Sequence, residues 1–201
     1  MIGTIGSPRT NQMKPNLMYE RMERIANLMR SSVRKSGLSK GLQPVQMEAL
    51  HYLSRCNQYS NTPMAVAEFL GLTKGTVSQT LAVLEGDGLV TKTADVRDRR
   101  VVHLELTQEG QFALSSAIPP ESLRSALEHL SRAERESVDA ALNTLWSSLQ
   151  RVNGVKTFGV CGTCRYHITS ENGQATCGLT QEALEAAEHD KICREHLPKV
   201  Q

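Results

Sequence analysis

Along most of the chain, apolar residues recur every three or four positions, a spacing that predicts helices rather than strands. From about Pro15 to Ser36 one face carries Met18, Met22, Ile25, Met29 and Val33, and Gly37 and Gly41 end the run. Met13 stands just ahead of that stripe, and the methionines make it a soft surface for packing against a partner helix. A second helix opens at Gln43-Pro44 and carries Val45, Met47, Leu50 and Leu53 to Cys56. Asn57 to Asn61 reads as a polar loop. Thr62 then caps a helix with Pro63 at its first position, where the missing N–H costs nothing. Ala65, Val66, Phe69 and Leu70 give that helix its apolar stripe, Gly71 breaks it, and Leu72 plugs the corner. Thr73 caps the next helix, in which Val77, Leu81 and Leu84 recur at four and three residues. Gly86 and Gly88 stop it.

The period then changes. LVTKTA and VVHLEL are β-prone runs on either side of Asp95-Val96-Arg97-Asp98-Arg99-Arg100, and they predict a hairpin with a charged tip. Thr107 caps a helix through Ala117, and Pro119-Pro120 interrupts it. A segment from Glu121 to Leu130 follows, then a long helix from Ser131 to about Val152 that opens on a capping box, Ser131 with Glu134. Val138, Leu142, Leu145 and Leu149 form a near-heptad stripe, suited to a pairing seam between subunits or to packing within one. The fold class is therefore mainly α with a small β-hairpin: a winged helix-turn-helix with long dimerisation helices, plus a small metal-stapled C-terminal module. Residues 1–13 read as a disordered arm and 14–152 as the winged-helix domain. Within it, 44–106 is the DNA-binding core and 15–36 and 107–152 the dimerisation helices. Residues 153–201 form a cysteine-rich tail.

Two short helices joined by a glycine-containing turn can set the second helix into a DNA major groove. With Val77, Leu81 and Leu84 turned inward, Thr73, Lys74, Thr76, Ser78, Gln79 and Thr80 remain near its exposed first half. Hydroxyls and amides there can reach base edges or phosphates, although an ordinary solvated face has the same composition. Three arginines on the hairpin loop suit phosphate contact and a narrow minor groove. Asp95 and Asp98 alternate with Arg97 and Arg100, so internal pairing would hold the loop in shape. Arg99 is left as the candidate for direct contact, with Arg97 and Lys92 next.

The stretch resembles the winged helix-turn-helix of the MarR family of transcriptional regulators. The family's wing signature, D-x-R-D-x-R, stands here as Asp95, Arg97, Asp98 and Arg100, and Leu106-Thr107-Gln108-Glu109-Gly110 is similar to its L-T-x-x-G exit motif. The resemblance covers roughly residues 14–152. It implies a homodimer interlocked through its first and last helices, acting as a repressor on double-stranded DNA at a palindromic operator. The operator itself, and whether a small molecule or a redox signal releases it, are not implied.

Charge and size refine this picture. The 201 residues carry 39% hydrophobic residues, enough for a packed core, and a net charge of only +2. From Lys156 onward five basic residues (Lys156, Arg165, Lys191, Arg194, Lys199) face six acids (Glu171, Glu182, Glu185, Glu188, Asp190, Glu195), so the positive excess lies before the tail. No apolar run approaches the roughly 20 residues of a membrane span. The first fourteen residues lack a secretory hydrophobic core, which places the protein in the cytoplasm. No Ser-His-Asp set, catalytic carboxylate pair or phosphate-cradling glycine loop supports an enzyme.

Four of the five cysteines fall in the tail as C-x2-C-x12-C-x15-C: Cys161, Cys164, Cys177 and Cys193. In a reducing compartment such a cluster reads as metal ligands rather than disulfides. The tail has few large apolar residues, so an ion would supply much of its folding free energy. Gly159, Gly162, Gly173 and Gly178 suit a backbone wrapped tightly around sulfur. Structural zinc is the commoner occupant, but zinc modules usually bring their last two ligands as a close pair. The spacings, with Leu179 after the third cysteine, are also similar to high-potential iron–sulfur proteins, which makes a [4Fe-4S] cluster the alternative. His167, His189 and His196 are near enough to replace a ligand, although each reads as a surface residue. Cys56 reads as a small buried hydrophobe. Two rival functions remain: an electron-transfer or redox protein whose cysteine centre does the chemistry, and a zinc-stapled interaction module.

Overall fold

The computed structural model describes residues 15–38, 41–153 and 156–199; the arm expected over 1–13 lies outside them. The winged-helix part runs α1 (Pro15–Leu38), α2 (Pro44–Arg55), α3 (Pro63–Leu70), α4 (Lys74–Gly86), β1 (Val90–Ala94), β2 (Val102–Leu106) and α5 (Gln108–Ser115). After it come α6 (Glu121–Glu128) and α7 (Arg132–Asn153). The tail forms an antiparallel sheet in the order β3 (His167–Thr169), β4 (Ala175–Cys177), β5 (Ala183–Leu184). Two single 3-10 turns flank it, at Cys161–Thr163 and Ala186–Glu188.

Local chemistry sets the boundaries. The Thr62 hydroxyl accepts the Ala65 N–H at 3.3 Å, and Gly71 ends α3 in the left-handed region at φ 65°, where a side chain is disfavoured. Thr73 opens α4 by accepting the Thr76 N–H at 3.2 Å. Ser131 and Glu134 exchange the bonds of a capping box, Ser131 N–H to Glu134 Oε2 at 2.8 Å and Glu134 N–H to Ser131 Oγ at 3.3 Å. β1 pairs antiparallel with β2, Val90 opposite Leu106 and Ala94 opposite Val102.

The core lies where α2, α3, α4, the hairpin and α5 meet. Met47, Leu50 and Tyr52 come from α2, Val66 from α3, Val77, Leu81 and Leu84 from α4, Val90 and Leu104 from the hairpin, and Leu114 from α5. Two expectations change. Phe69 is 40% exposed, because α3 turns Ala65, Val66 and Ala67 inward instead. The segment 57–61 is not an open polar loop: Asn57 and Ser60 are buried at 2% and 0%, covered by the tail.

The L-T-x-x-G stretch joins wing to α5. Thr107 donates its hydroxyl to the Gly88 carbonyl at 2.7 Å, its N–H to the Leu89 carbonyl at 3.1 Å, and accepts the Gly110 N–H at 3.1 Å. This folds α5 back until the Leu89 carbonyl fills the space where a side chain at residue 110 would sit. Gly110→Ala should therefore lower the unfolding free energy by about 1–3 kcal/mol, read from urea denaturation midpoints at unchanged slope.

Apolar side chains on α1 and α7 meet solvent. Met18, Met22, Ile25 and Leu28 are exposed on α1, and Val138, Leu142, Trp146 and Leu149 on α7. Among the described residues, no helix is long and apolar enough to cross a membrane.

Candidate nucleic-acid interface and cysteine site

The face of α4 opposite the core presents Lys74, Thr76, Ser78 and Gln79 to solvent, with Thr73 exposed at the cap. The Thr73 and Thr76 hydroxyls lie 3.0 Å apart, so each keeps the other in place on the first turn. Thr80 does not join them. It is 8% exposed, and its hydroxyl donates back to the Thr76 carbonyl at 2.9 Å. Three residues after Val77 and four before Leu84, it falls on the buried stripe rather than beside it.

The wing is built on its carboxylates. Asp95 Oδ1 accepts the backbone N–H groups of Arg97 at 2.7 Å and Asp98 at 2.8 Å. The Asp98 and Arg97 N–H bonds, with His103 beside them, hold the Asp95 carboxyl below its ordinary range. Arg100 grips Asp98 with two bonds of 3.0 Å, and this keeps the Asp98 carboxyl low as well. His103, which no motif singles out, bridges Asp95 Oδ2 at 3.1 Å and Asn61 Oδ1 at 2.6 Å, tying the wing to the entrance of α3.

The wing cations divide three ways. Arg99 is exposed and makes no hydrogen bond or ion pair among the described residues. The Lys92 ammonium pairs with Glu85 at 2.7 Å, which draws it toward α4. Arg97, a candidate for DNA contact, does not pair within the loop, because the Asp95 oxygens are taken by backbone and His103. Its guanidinium instead donates to Glu182 of the tail at 2.8 Å.

That contact belongs to a wider docking surface between tail and helix-turn-helix. Ile192 donates its N–H to the Arg55 carbonyl at 2.8 Å, and its carbonyl accepts the Asn57 N–H at 2.9 Å. The Arg194 N–H donates to Ser60 Oγ at 2.8 Å, and its guanidinium holds both Glu68 oxygens at 2.7 and 2.6 Å. Tyr59 donates its hydroxyl to the second Glu182 oxygen at 2.7 Å. Phe158, at the start of the tail, stacks edge-on against Phe69 at 5.2 Å and against Tyr52 at 6.1 Å. None of these tail residues was a candidate from sequence, since a lone Glu or Arg in a polar stretch carries no periodic signal.

The cysteines separate into one and four. Cys56 is 4% exposed and donates its thiol to the Leu53 carbonyl at 3.6 Å; burial pushes it up to about 12, so it stays a neutral thiol. Cys161, Cys164, Cys177 and Cys193 line a single cavity, with Tyr166, Leu179 and Leu184 among its walls. An all-thiol donor set suits a soft metal. His196 is buried at 7% rather than on the surface, and its ring nitrogens meet the hydroxyls of Thr157 at 2.6 Å and Thr163 at 3.0 Å, which leaves neither for a metal. His167 lines the cavity, edge-on to His189 at 5.2 Å. A side chain at Gly159 or Gly162 would collide with the rings of His196 and His189, so these glycines make room for histidines rather than for sulfur.

A family model described as MarR family matches residues 40–101 of this chain, a span that holds α2 to the wing tip and ends short of the four tail cysteines. A curated relative, the HTH-type transcriptional repressor YetL of Bacillus subtilis (strain 168), is 26% identical over 112 residues, covering 55% of this chain and 67% of that protein. Among solved structures, the Staphylococcus aureus MepR–DNA complex is similar at 26% identity and TM-score 0.53, covering 65% of this chain and 96% of that one. A second structure, MepR described as a transcription regulator of the S. aureus multidrug efflux pump MepA, gives 26% identity and TM-score 0.52, over 66% and 98%. A MarR family regulator from Silicibacter pomeroyi, at 24% identity and TM-score 0.54 over 65% and 88%, shares the fold. The relatives matched are transcription regulators, not enzymes.

Proposed function

We propose, from the MarR-type winged helix that the chain carries, that the protein is a transcriptional repressor acting in the cytoplasm as a homodimer on a palindromic operator. The observation that carries this reading is the pairing of an exposed polar α4 face with an ordered, arginine-tipped wing on one core. Lys74, Thr76, Ser78 and Gln79 would enter the major groove, and Arg99, with Arg97 once released, would reach the adjacent backbone or minor groove. The exposed apolar faces of α1 and α7 support the dimer, since a lone chain would leave both in water. Cys161, Cys164, Cys177 and Cys193 hold a metal centre in this reading, and the tail that carries it is where a redox signal would act. A small-molecule effector has a separate place, an open groove lined by His51, Arg55, Gln111, Ser115, Glu188 and Lys191.

Two recognition helices in a dimer enter successive major grooves, so the footprint on operator DNA should show two half-sites about 10 base pairs apart, related by near-two-fold symmetry. A single asymmetric half-site at saturating protein would refute the dimer. The absence of any preferred sequence in DNA selected from a random pool would refute the repressor.

A further inference from the structure

The groove between α2, β2, α5 and the tail turn at Ala186–Glu188 carries charges that find no partner. It has room for about 840 Å³, the size of a small-molecule site rather than of a packing defect. Leu53, Leu104, Leu106, Leu114, Ile118 and Pro119 make part of its lining apolar. Two of its charges come from the tail. Glu188 and Lys191 stand three residues apart, and the Lys191 N–H donates to the Glu188 carbonyl at 3.1 Å. Opposite charges so placed ordinarily pair. Here they do not, and neither side chain makes an ion pair or hydrogen bond among the described residues. Both are half-buried, so leaving them unpaired costs more than it would on an open surface.

Two acceptors on this lining are orphaned. Glu188 Oε2 is shut off from solvent without a hydrogen bond, and so is Oδ1 of Asn57, a residue only 2% exposed. The Asn57 amide donates through its nitrogen toward the Cys193 sulfur, so its oxygen alone is left over. A donor seated in the groove that borders both residues would satisfy them. The opposite need stands beside it, since the Arg55 guanidinium lines the groove unpaired, as the Lys191 ammonium does. Glu105 of β2 adds a second carboxylate. Burial, with Arg55 close by, holds His51 below its ordinary pKa, so its neutral ring adds a hydrogen bond rather than a charge. Two cations against two carboxylates suit a ligand that has no net charge and carries both signs.

We propose that this groove binds a zwitterion with an apolar body, the chemistry of a free amino acid such as leucine or of a short apolar peptide. The ligand's ammonium meets the Glu188 carboxylate and Asn57 Oδ1, and its carboxylate meets Lys191 and Arg55. Its side chain lies against Leu104, Leu114 and Ile118. The proposal rests on the reading of this groove as the effector site and names the class of effector. With α2 and β2 on one side and the tail on the other, the occupant joins the winged helix to the tail.

The test is calorimetric titration of the full chain with leucine, leucyl-leucine, and two compounds that each keep one charge, isocaproate and isoamylamine. At least one zwitterion should bind about tenfold tighter than either single-charge compound, the effect of one added charge-assisted hydrogen bond. The tighter zwitterion names the source. Glu188→Gln should erase the preference over isocaproate and leave the affinity for isocaproate itself unchanged. Lys191→Gln should instead narrow the preference over isoamylamine. Single-charge compounds that bind as tightly as the zwitterions would overturn the proposal, as would no binding of any compound at millimolar concentration. Equal weakening of all four compounds by Glu188→Gln would also overturn it, because that is the mark of a structural role. Operator footprints on the same samples keep the two claims apart. Zwitterion binding that leaves the footprint unchanged removes the effector and keeps the site, while release of the operator by isocaproate alone does the reverse.

Discussion

Tyr52→Ala should cost about 3–5 kcal/mol of unfolding free energy, the range for an aromatic ring removed from a core. In a chain of this size that lowers the melting temperature by on the order of 10 °C. The residue is 1% exposed, stacks on Phe69 at 4.6 Å and Phe158 at 6.1 Å, and donates its hydroxyl to the Ser60 carbonyl at 2.8 Å. It thus joins α2, α3, the 57–61 segment and the tail at one ring. Burial raises the Tyr52 hydroxyl well above its ordinary pKa, so it remains a neutral donor throughout the working pH range. Tyr52→Phe keeps the stacking and loses only the hydrogen bond, so it should cost about 1 kcal/mol. Thermal unfolding of the two variants beside the parent decides the matter. Equal losses in Ala and Phe variants would mean that the hydroxyl, not the ring, carries the junction.

Tyr52 also shows where sequence reading stops. The helices and the hairpin were legible because each has a local cause: a capping threonine, a glycine at positive φ, or a stripe that repeats every three to four residues. Val77, Leu81 and Leu84 are buried as their spacing requires. Thr80 was misplaced because a hydroxyl looks like a surface group, although its position puts it on the stripe. The docking of the tail was not legible at all. Glu68 meets Arg194 and Arg97 meets Glu182 across separations of 126 and 85 residues, and nothing local announces such pairs. The same is true of Asn57 and Ser60, which are polar in composition and buried only because the tail lies over them. The cysteine spacing identified the four residues that line one cavity, while the docking of that cavity beside the 57–61 segment required the structure.

The wing should respond to two substitutions with opposite signs. Arg99→Ala weakens DNA binding and makes the slope of log affinity against log salt shallower by about two in a dimer, one phosphate contact per subunit. Glu182→Gln strengthens it. Removing that charge frees Arg97 for DNA, and the slope steepens by up to the same amount. The gain is bounded, because Arg97 is 82% exposed and an exposed pair is worth at most about 1 kcal/mol, or roughly fivefold in affinity per half-site. Arg100→Ala acts through shape, since the two bonds to Asp98 hold the loop rather than reach outward. Titrations at several salt concentrations separate the three. An unchanged slope in Arg99→Ala moves the contact to another wing cation, and weaker binding by Glu182→Gln shows that the tail contact supports the wing instead of withholding it.

The bonds that Ser60 and Glu68 make with Arg194 span 134 and 126 residues of chain. Contacts of such long sequence separation close late, because the entropy of drawing the ends together is spent before they return anything. During synthesis, α2 to the wing is complete long before Arg194 leaves the ribosome, so the DNA-binding fold must form its own core first. Asn57 and Ser60 face water in that interval, and the arriving tail converts a solvated segment into an interior one. The order of assembly is written into the topology: a self-sufficient winged helix first, and a tail fastened onto it afterwards.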